Sequence, residues 1–184
     1  QNNDAILFKP DTSYRLAQSG GWGKPNTLLS GENHPNGVII NYYLKSLKKD
    51  DYLRIDIENK DGTLIRSFTN NKKIAASNNT NRKNLMVGNP VLSNPNDIDN
   101  ALGSGNIGSL YPKSGGNRLI WDMRYPGFKS FDGMVLYSSP NVGPKVTPGK
   151  YNLKMTYNNT VLTKELEIIK DPRVKTSQED FEKQ

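Results

Sequence analysis

Residues 53–68 read LRIDIENKDGTLIRSF, and this stretch decides the fold. Its first six residues alternate apolar with charged side chains, which is the period of a β-strand that buries one face. The turn Lys60-Asp61-Gly62 follows, and Asp-Gly favours a hairpin because glycine accepts the positive φ angles of a tight turn. Residues 63–68 then return as a second strand. The stretch therefore predicts an antiparallel hairpin within an all-β domain.

The same alternation recurs on both sides of this hairpin. The strand over residues 38–44 places one set of apolar side chains on a single face: Val38, Ile40, Tyr42 and Leu44. Further strands are predicted over residues 118–125, 134–137, 151–157 and 161–169, with a turn at Asn158-Asn159. About seven short strands with turns between them are typical of a β-sandwich. The sequence thus predicts an all-β, antiparallel β-sandwich of the immunoglobulin-like or fibronectin-III-like class, with a long polar insertion.

Three segments fall outside the alternating pattern and set the predicted domain organisation. Residues 1–36 form an extended lead-in from a preceding domain, and residues 37–170 form the sandwich. Within it, residues 69–116 are a polar insertion, in which 94–102 could make one short helix because Asn94-Pro95 suits a helix start. Residues 171–184 begin a C-terminal helical segment, so we expect the natural protein to continue further.

Composition excludes several classes of protein. The 184 residues contain no cysteine, which rules out a disulfide scaffold, a thiolate zinc site and a cysteine nucleophile. The net charge of +7 comes from lysines scattered along the chain rather than from one basic stripe, so we expect no nucleic-acid partner. No apolar run approaches the roughly 20 residues of a membrane span. No cofactor is expected.

Catalytic and phosphate-binding motifs are weak. His34, the only histidine, lies in a turn with no nucleophile nearby. The pair Asp122 and Asp132 could serve glycoside hydrolysis, but a salt bridge or turn hydrogen bond that fixes the Arg124 region is the preferred interpretation. The glycine motif at Gly103, Gly105 and Gly108 lacks the strand before it and the helix after it that a dinucleotide site needs, so we interpret it as a flexible loop.

One oxygen-rich segment is a weak calcium candidate. Asp97 and Asp99 lie among several asparagines. An EF-hand loop starting at Asp97 would require glycine and glutamate where this chain has Leu102 and Gly108. A polar turn is the favoured interpretation.

Aromatic side chains are the candidate contact residues. Trp121 alternates with core positions, so core packing is expected for it. Trp22 lies between glycines, and we interpret it as an anchor that docks on a neighbouring domain. Three further aromatic residues complete the candidate contact set: Tyr125, Phe128 and Phe131. We expect this set to contact either a neighbouring domain or a glycan.

Four segments resemble a known family: residues 31–44, 117–127, 143–151 and 170–173. They are similar to the module that follows the β-propeller in bacterial sortilin-like, BNR-repeat proteins, which are often labelled glycosyl hydrolases. The Trp-Asp-x-Arg and Pro-Gly-x-Tyr motifs at 121–124 and 148–151 are also similar to the immunoglobulin-like domain of flagellar hook-capping proteins. The resemblance implies a preceding propeller, with residues 5–10 as its exit, and a helical segment beyond Gln184.

The functional expectation follows from this resemblance and from the absence of catalytic motifs. The chain is expected to be a non-catalytic accessory module, not an enzyme, that docks on or supports the neighbouring propeller of a larger bacterial protein. That protein would be secreted, periplasmic or at the cell surface. The alternative is a carbohydrate-binding module that uses exposed aromatic side chains, with a glycan as partner.

Overall fold

A computed structural model of the protein describes residues 4–16, 35–71, 107–127 and 143–183. Within these ranges the chain forms nine strands and one short helix. In chain order they are β1 (Ala5–Leu7), β2 (Ser13–Arg15), β3 (Val38–Leu44), β4 (Leu53–Glu58), β5 (Leu64–Thr69), β6 (Ile107–Ser109), β7 (Gly115–Trp121), β8 (Gly149–Tyr157), β9 (Thr160–Lys170) and α1 (Gln178–Glu182). The predicted helix at 94–102 and the predicted strand at 134–137 lie outside the described residues.

The strands form two sheets, and the all-β, sandwich-like prediction is confirmed. Sheet A has the order β1-β3-β7 and sheet B the order β2-β9-β8-β4-β5-β6. Sheet A is antiparallel, but β2 runs parallel to β9 and β5 parallel to β6. The expectation of a purely antiparallel sandwich is therefore wrong for sheet B. Long stretches of chain separate β2 from β9 and β5 from β6, and a long separation permits the parallel pairing that a tight hairpin forbids.

The core lies between the inner faces of the two sheets. The apolar rows of β3 and β8 are buried, whereas Tyr125, in the strand predicted over 118–125, lies beyond the end of β7 and is half-buried. Trp121 is fully buried, as expected for a core residue, and packs edge-to-face on Tyr151 with 6.2 Å between ring centroids. The indole Nε1 of Trp121 donates to the carbonyl oxygen of Arg124 at 3.2 Å, so the one polar atom of the ring is satisfied.

The hairpin over residues 53–68 has the predicted form. Gly62 has a φ of +84°, a conformation that side chains with a Cβ rarely adopt. The Asp61 carboxylate accepts a hydrogen bond from the backbone N–H of Thr63 at 2.9 Å and closes the turn. The register shifts between Ile57 and Glu58, which bends the end of β4.

The lead-in is part of both sheets. Strand β1 pairs with β3, and its Ala5 and Leu7 side chains are buried in the core, while β2 pairs with β9. The expected insertion over 69–116 also contributes strands at its ends, because β5 ends at Thr69, β6 spans Ile107–Ser109 and β7 begins at Gly115. Gly108 thus lies in a strand, so the flexible-loop interpretation is wrong for the last glycine of its motif.

The predicted C-terminal helical segment contains α1, which begins at Gln178. The Ser177 hydroxyl accepts a hydrogen bond from the backbone N–H of Asp180, and the Asp180 carboxylate accepts one from the backbone N–H of Ser177, which is a capping box. The helix buries Phe181, whose ring lies 4.7 Å below the Arg15 guanidinium of β2. This contact holds α1 against the lead-in strand.

Candidate functional site

Most of the residues singled out from sequence lie outside the described part of the chain. This applies to the contact candidates Trp22, Phe128 and Phe131, to the calcium candidates Asp97 and Asp99, and to His34 and Asp132. Tyr125 and Asp122 are described. A contact surface must therefore be sought among other side chains as well.

Tyr125 is half-buried and packs against the core. Its backbone N–H donates to the carbonyl oxygen of Pro144 at 2.9 Å, and Val146 N–H donates to Met123 O at 2.7 Å. Met123 has a φ of 61°, a rare angle for a side chain with a Cβ, and it turns the chain out of β7 toward this pairing. Only part of the Tyr125 ring is thus left at the surface.

Asp122 makes the turn hydrogen bond expected for it. Its carboxylate accepts from the backbone N–H of Arg124 at 3.1 Å. Burial raises the pKa of Asp122 above its ordinary value, while three cations act in the opposite direction: Arg66, Arg124 and Lys145. This carboxylate fixes the bend after β7, which is a structural task.

The lead-in carries an exposed hydrophobic surface. Three large apolar side chains stand out on β1, on β2 and directly after β1: Ile6 at 39%, Phe8 at 49% and Tyr14 at 49% exposure. These are three of the seven large hydrophobic side chains exposed within the described residues. We call them the lead-in edge, because β1 borders sheet A and β2 borders sheet B. Sequence analysis missed them, since three-residue strands show no usable period.

The outer faces of the two sheets differ in chemistry. On sheet B the outer face carries ion pairs, such as Arg54 with Asp56 at 2.8 Å and Lys150 with Glu165 at 3.0 Å. On sheet A, β3 and β7 present an exposed tyrosine, an exposed amide and an exposed guanidinium beside a glycine: Tyr43, Asn41, Arg118 and Gly116. Tyr43 and Asn41 occupy the outward-facing positions of β3, a strand whose alternation was predicted. That alternation could have identified them from sequence as surface residues.

A groove of about 440 Å³ lies beside the contact between β2 and α1. Its lining mixes both charges with apolar surface: Arg15, Asp171, Val174, Thr176, Asp180, Phe181 and Lys183. The polar groups are already occupied in part, because Arg15 Nε donates to Val146 O at 2.9 Å and Asp171 is bound by Arg173. The groove favours no particular ligand charge.

Two features are absent from the described residues. These residues contain no cluster of three or more His, Cys, Asp or Glu side chains that could hold a metal ion. No helix among them has the length and apolar character needed to cross a membrane. Comparison with protein-family models finds no match to the chain, and comparisons with curated proteins and with solved structures find none either.

Proposed function

We propose that this chain is a non-catalytic, immunoglobulin-like accessory module that docks through its lead-in edge on the domain preceding it in a larger protein. The observation that carries the proposal is the exposure of Ile6 on β1, Phe8 directly after β1 and Tyr14 on β2, the part of the described chain nearest in sequence to such a domain. Exposed apolar side chains grouped on one border of a domain favour a protein contact.

The immunoglobulin-like assignment is supported by strand order. In that fold strands G, F, C and C′ form one sheet, as β9-β8-β4-β5 do here, and strands A, B and E belong to the other, as β1-β3-β7 do. A second support is Tyr151 near the start of β8, whose hydroxyl donates to Thr147 O four residues upstream. This corresponds to the tyrosine corner at strand F of immunoglobulin-like domains. Two residues later, where many such domains have a cysteine, this chain has the buried Leu153.

Docking at the lead-in edge agrees with the physics of tethered domains. A domain attached directly before β1 is held at high effective concentration near Ile6 and Phe8, so a small apolar contact suffices to hold it. Edge strands of sheets are usually shielded, and β1 is short and followed by Lys9 and Pro10, which discourage pairing with unrelated chains. These features discourage strand pairing at the edge of β1, but they still allow side-chain contacts with a domain attached to the same chain.

The identity of the neighbour rests on the resemblance of four segments to bacterial sortilin-like, BNR-repeat proteins. Two of these segments include β3 and most of β7, which pair along their length from Val38 opposite Trp121 to Leu44 opposite Gly115. On this basis we propose that the neighbour is a β-propeller, that the whole protein is exported, and that any hydrolytic chemistry belongs to the propeller.

The test compares residues 1–184 alone with a longer protein that includes the preceding domain. Amide exchange of residues 5–8 and the radius of gyration are measured in both. We expect slower exchange in the longer protein, and we expect the double substitution Ile6→Asp with Phe8→Asp to abolish that protection and to extend the particle. Val161→Asp is the matched control, because Val161 is equally exposed but lies on β9. Protection that persists in the double variant, or that never appears, refutes the proposal.

A further inference from the structure

A shallow shelf lies on the outer face of sheet A, on β3 and β7, and it adjoins the lead-in edge because Ile6 of β1 stands opposite Tyr43 of β3. Its floor is Gly116 of β7. Tyr43 of β3 stands opposite Gly116 in the register, and Asn41 stands opposite Arg118 one step further along both strands. All four residues are exposed, and the Tyr43 side chain retains 38% of its surface. We call this set the glycine shelf.

Glycine at position 116 is not required by the fold. Its φ is outside the positive range that favours glycine, and a Cβ built at this position meets nothing within 4 Å. A β-branched residue would be the better strand former here. Glycine inside a strand often marks a place where a ligand approaches the backbone closely. Among the described residues nothing occupies the space above Gly116, which leaves room for a ligand.

The walls of the shelf offer one aromatic surface and several hydrogen-bond donors. Arg118 Nε donates to Asn41 Oδ1 at 3.4 Å, which holds the two side chains side by side. Among the described residues, neither the Asn41 amide nitrogen nor the terminal nitrogens of Arg118 have a hydrogen-bond partner. No carboxylate in that part of the chain forms an ion pair with Arg118. The shelf thus combines a ring, an amide and an uncompensated guanidinium.

We propose that the glycine shelf binds an oligosaccharide that carries a carboxylated sugar. The C–H face of a sugar ring over Gly116 packs against the Tyr43 ring, whose π face attracts it. The Asn41 side chain hydrogen-bonds a sugar hydroxyl group, since an amide both donates and accepts. Arg118 pairs with the carboxylate through its planar fork, a strong and directional contact. An acidic peptide also carries carboxylates, and the poly-glutamate probe of the test below stands for that occupant.

The glycine shelf adjoins the lead-in edge, because Phe8 N–H donates to Asn41 O and Ile6 stands opposite Tyr43. The two proposals still fail separately, because no shelf variant changes a residue of β1 or β2. The test titrates the protein with hexameric oligogalacturonate and follows binding by NMR and calorimetry. Neutral maltohexaose and poly-glutamate are the comparison probes. The first shares the chain length of the acidic oligosaccharide without its charge, and the second is a polyanion that has no sugar ring.

Three variants test the shelf and one controls for charge. Gly116→Val fills the floor, Tyr43→Ala removes the ring, and Arg118→Gln removes the cation. We expect each to weaken binding about tenfold, the size of one lost charge-assisted or aromatic contact. Gly116→Val is the most informative variant, because its melting temperature should be unchanged or higher. Lys154→Gln lowers the net charge as Arg118→Gln does, but it lies on sheet B, so binding should be retained.

Saturable binding of the uronate, with that pattern of losses, supports the proposal. Equal affinity for poly-glutamate, unaffected by Gly116→Val or Tyr43→Ala, would show that the chain merely attracts polyanions and would overturn it. Equal affinity for maltohexaose would overturn the role of the carboxylate. Absence of binding from a folded sample would refute the site.

Discussion

The hydroxyl of Tyr151 donates a hydrogen bond to the carbonyl oxygen of Thr147 over 2.5 Å, at the point where the chain enters β8. The same ring packs edge-to-face on Trp121 in the core, so one side chain joins the loop to the centre of the sandwich.

Tyr151→Phe keeps this ring and removes only the hydrogen bond. We expect the free energy of unfolding to fall by about 1–2 kcal/mol, because the half-buried Thr147 carbonyl loses its donor. Urea unfolding followed by fluorescence measures the change. Tyr14→Phe is the control, since Tyr14 is half exposed, and its stability should remain within about 0.5 kcal/mol of the unaltered protein. Equal effects of the two substitutions would contradict the assigned role.

The two glycines Gly37 and Gly116 should respond oppositely to alanine. A Cβ at Gly37 would come within 2.5 Å of the Trp121 carbonyl oxygen and 2.9 Å of Ile120 Cγ2, so a strand would have to shift. We expect Gly37→Ala to cost about 1–3 kcal/mol. Gly116→Ala meets open space and should be neutral or stabilising. Thermal unfolding of both variants, measured together, checks the contrast, and a destabilised Gly116→Ala would contradict it.

Leu153 occupies the core position two residues after Tyr151. Leu153→Ala should destabilise the domain by about 2–5 kcal/mol through lost burial and a residual cavity. Lys164, its partner in the register on β9, is exposed and provides the matched control. Lys164→Ala should change stability by less than about 0.5 kcal/mol. Denaturant titration separates the two outcomes, and a mild Leu153→Ala would show that the core is loosely packed there.

The hydrogen bonds of the Asp171 carboxylate lead us to expect that the domain loses stability in acid. This carboxylate is buried and accepts hydrogen bonds from Nε, Nη2 and the backbone N–H of Arg173. These bonds lower the pKa of Asp171 from 3.8 to about 2. Because the folded state holds the proton less tightly than the unfolded state, this stabilisation is complete above pH 4 and disappears as the pH falls toward 2.

Asp171→Asn should therefore lower the melting temperature at pH 7 and reduce its dependence on pH between about 4 and 2. Arg173→Gln keeps the backbone donor and should give a smaller effect. Melting curves recorded by circular dichroism across that range provide the measurement. If both substitutions leave the pH dependence unchanged, the pair contributes nothing to acid stability.

The predictable part of the fold consists of strands that face the core on one side and solvent on the other. In β3, β4 and β8 this difference imposes the period of two, and it can be read without knowing any partner strand. The hairpin at Gly62 was equally visible, because its turn chemistry is local. These elements were correctly predicted for that reason.

The strands β1, β2 and β6 could not be found in the same way. Each has three residues, which is too short for a period, and each owes its structure to a distant segment. Thr12, next to β2, hydrogen-bonds Glu167, which lies 155 residues further along the chain. Alternation specifies which face is buried but not which strand is the neighbour, so the parallel pairings of β2 and β6 were beyond its reach.

The same distinction applies to the candidate site. Trp22 was singled out because it lies among glycines, a feature that the local composition alone shows. Tyr43 and Arg118 are ordinary residues in the sequence, and only the register that sets Asn41 opposite Arg118 brings them together. A binding surface on a sheet is assembled across strands, so it emerges from the pairing rather than from any single segment.

The parallel pairing of β2 with β9 also governs when the domain can finish folding. Ser13 meets Ile168 at one end of this pairing and Arg15 meets Lys170 at the other. During synthesis the N-terminal residues leave the ribosome first, yet their partner strand is among the last to emerge. The hairpin of β4 and β5 can form early, whereas closure of sheet B must await nearly the entire chain. A nascent or truncated chain that lacks β9 leaves β2 without a neighbour and exposes one edge of β8, and would be a target for chaperones and proteases.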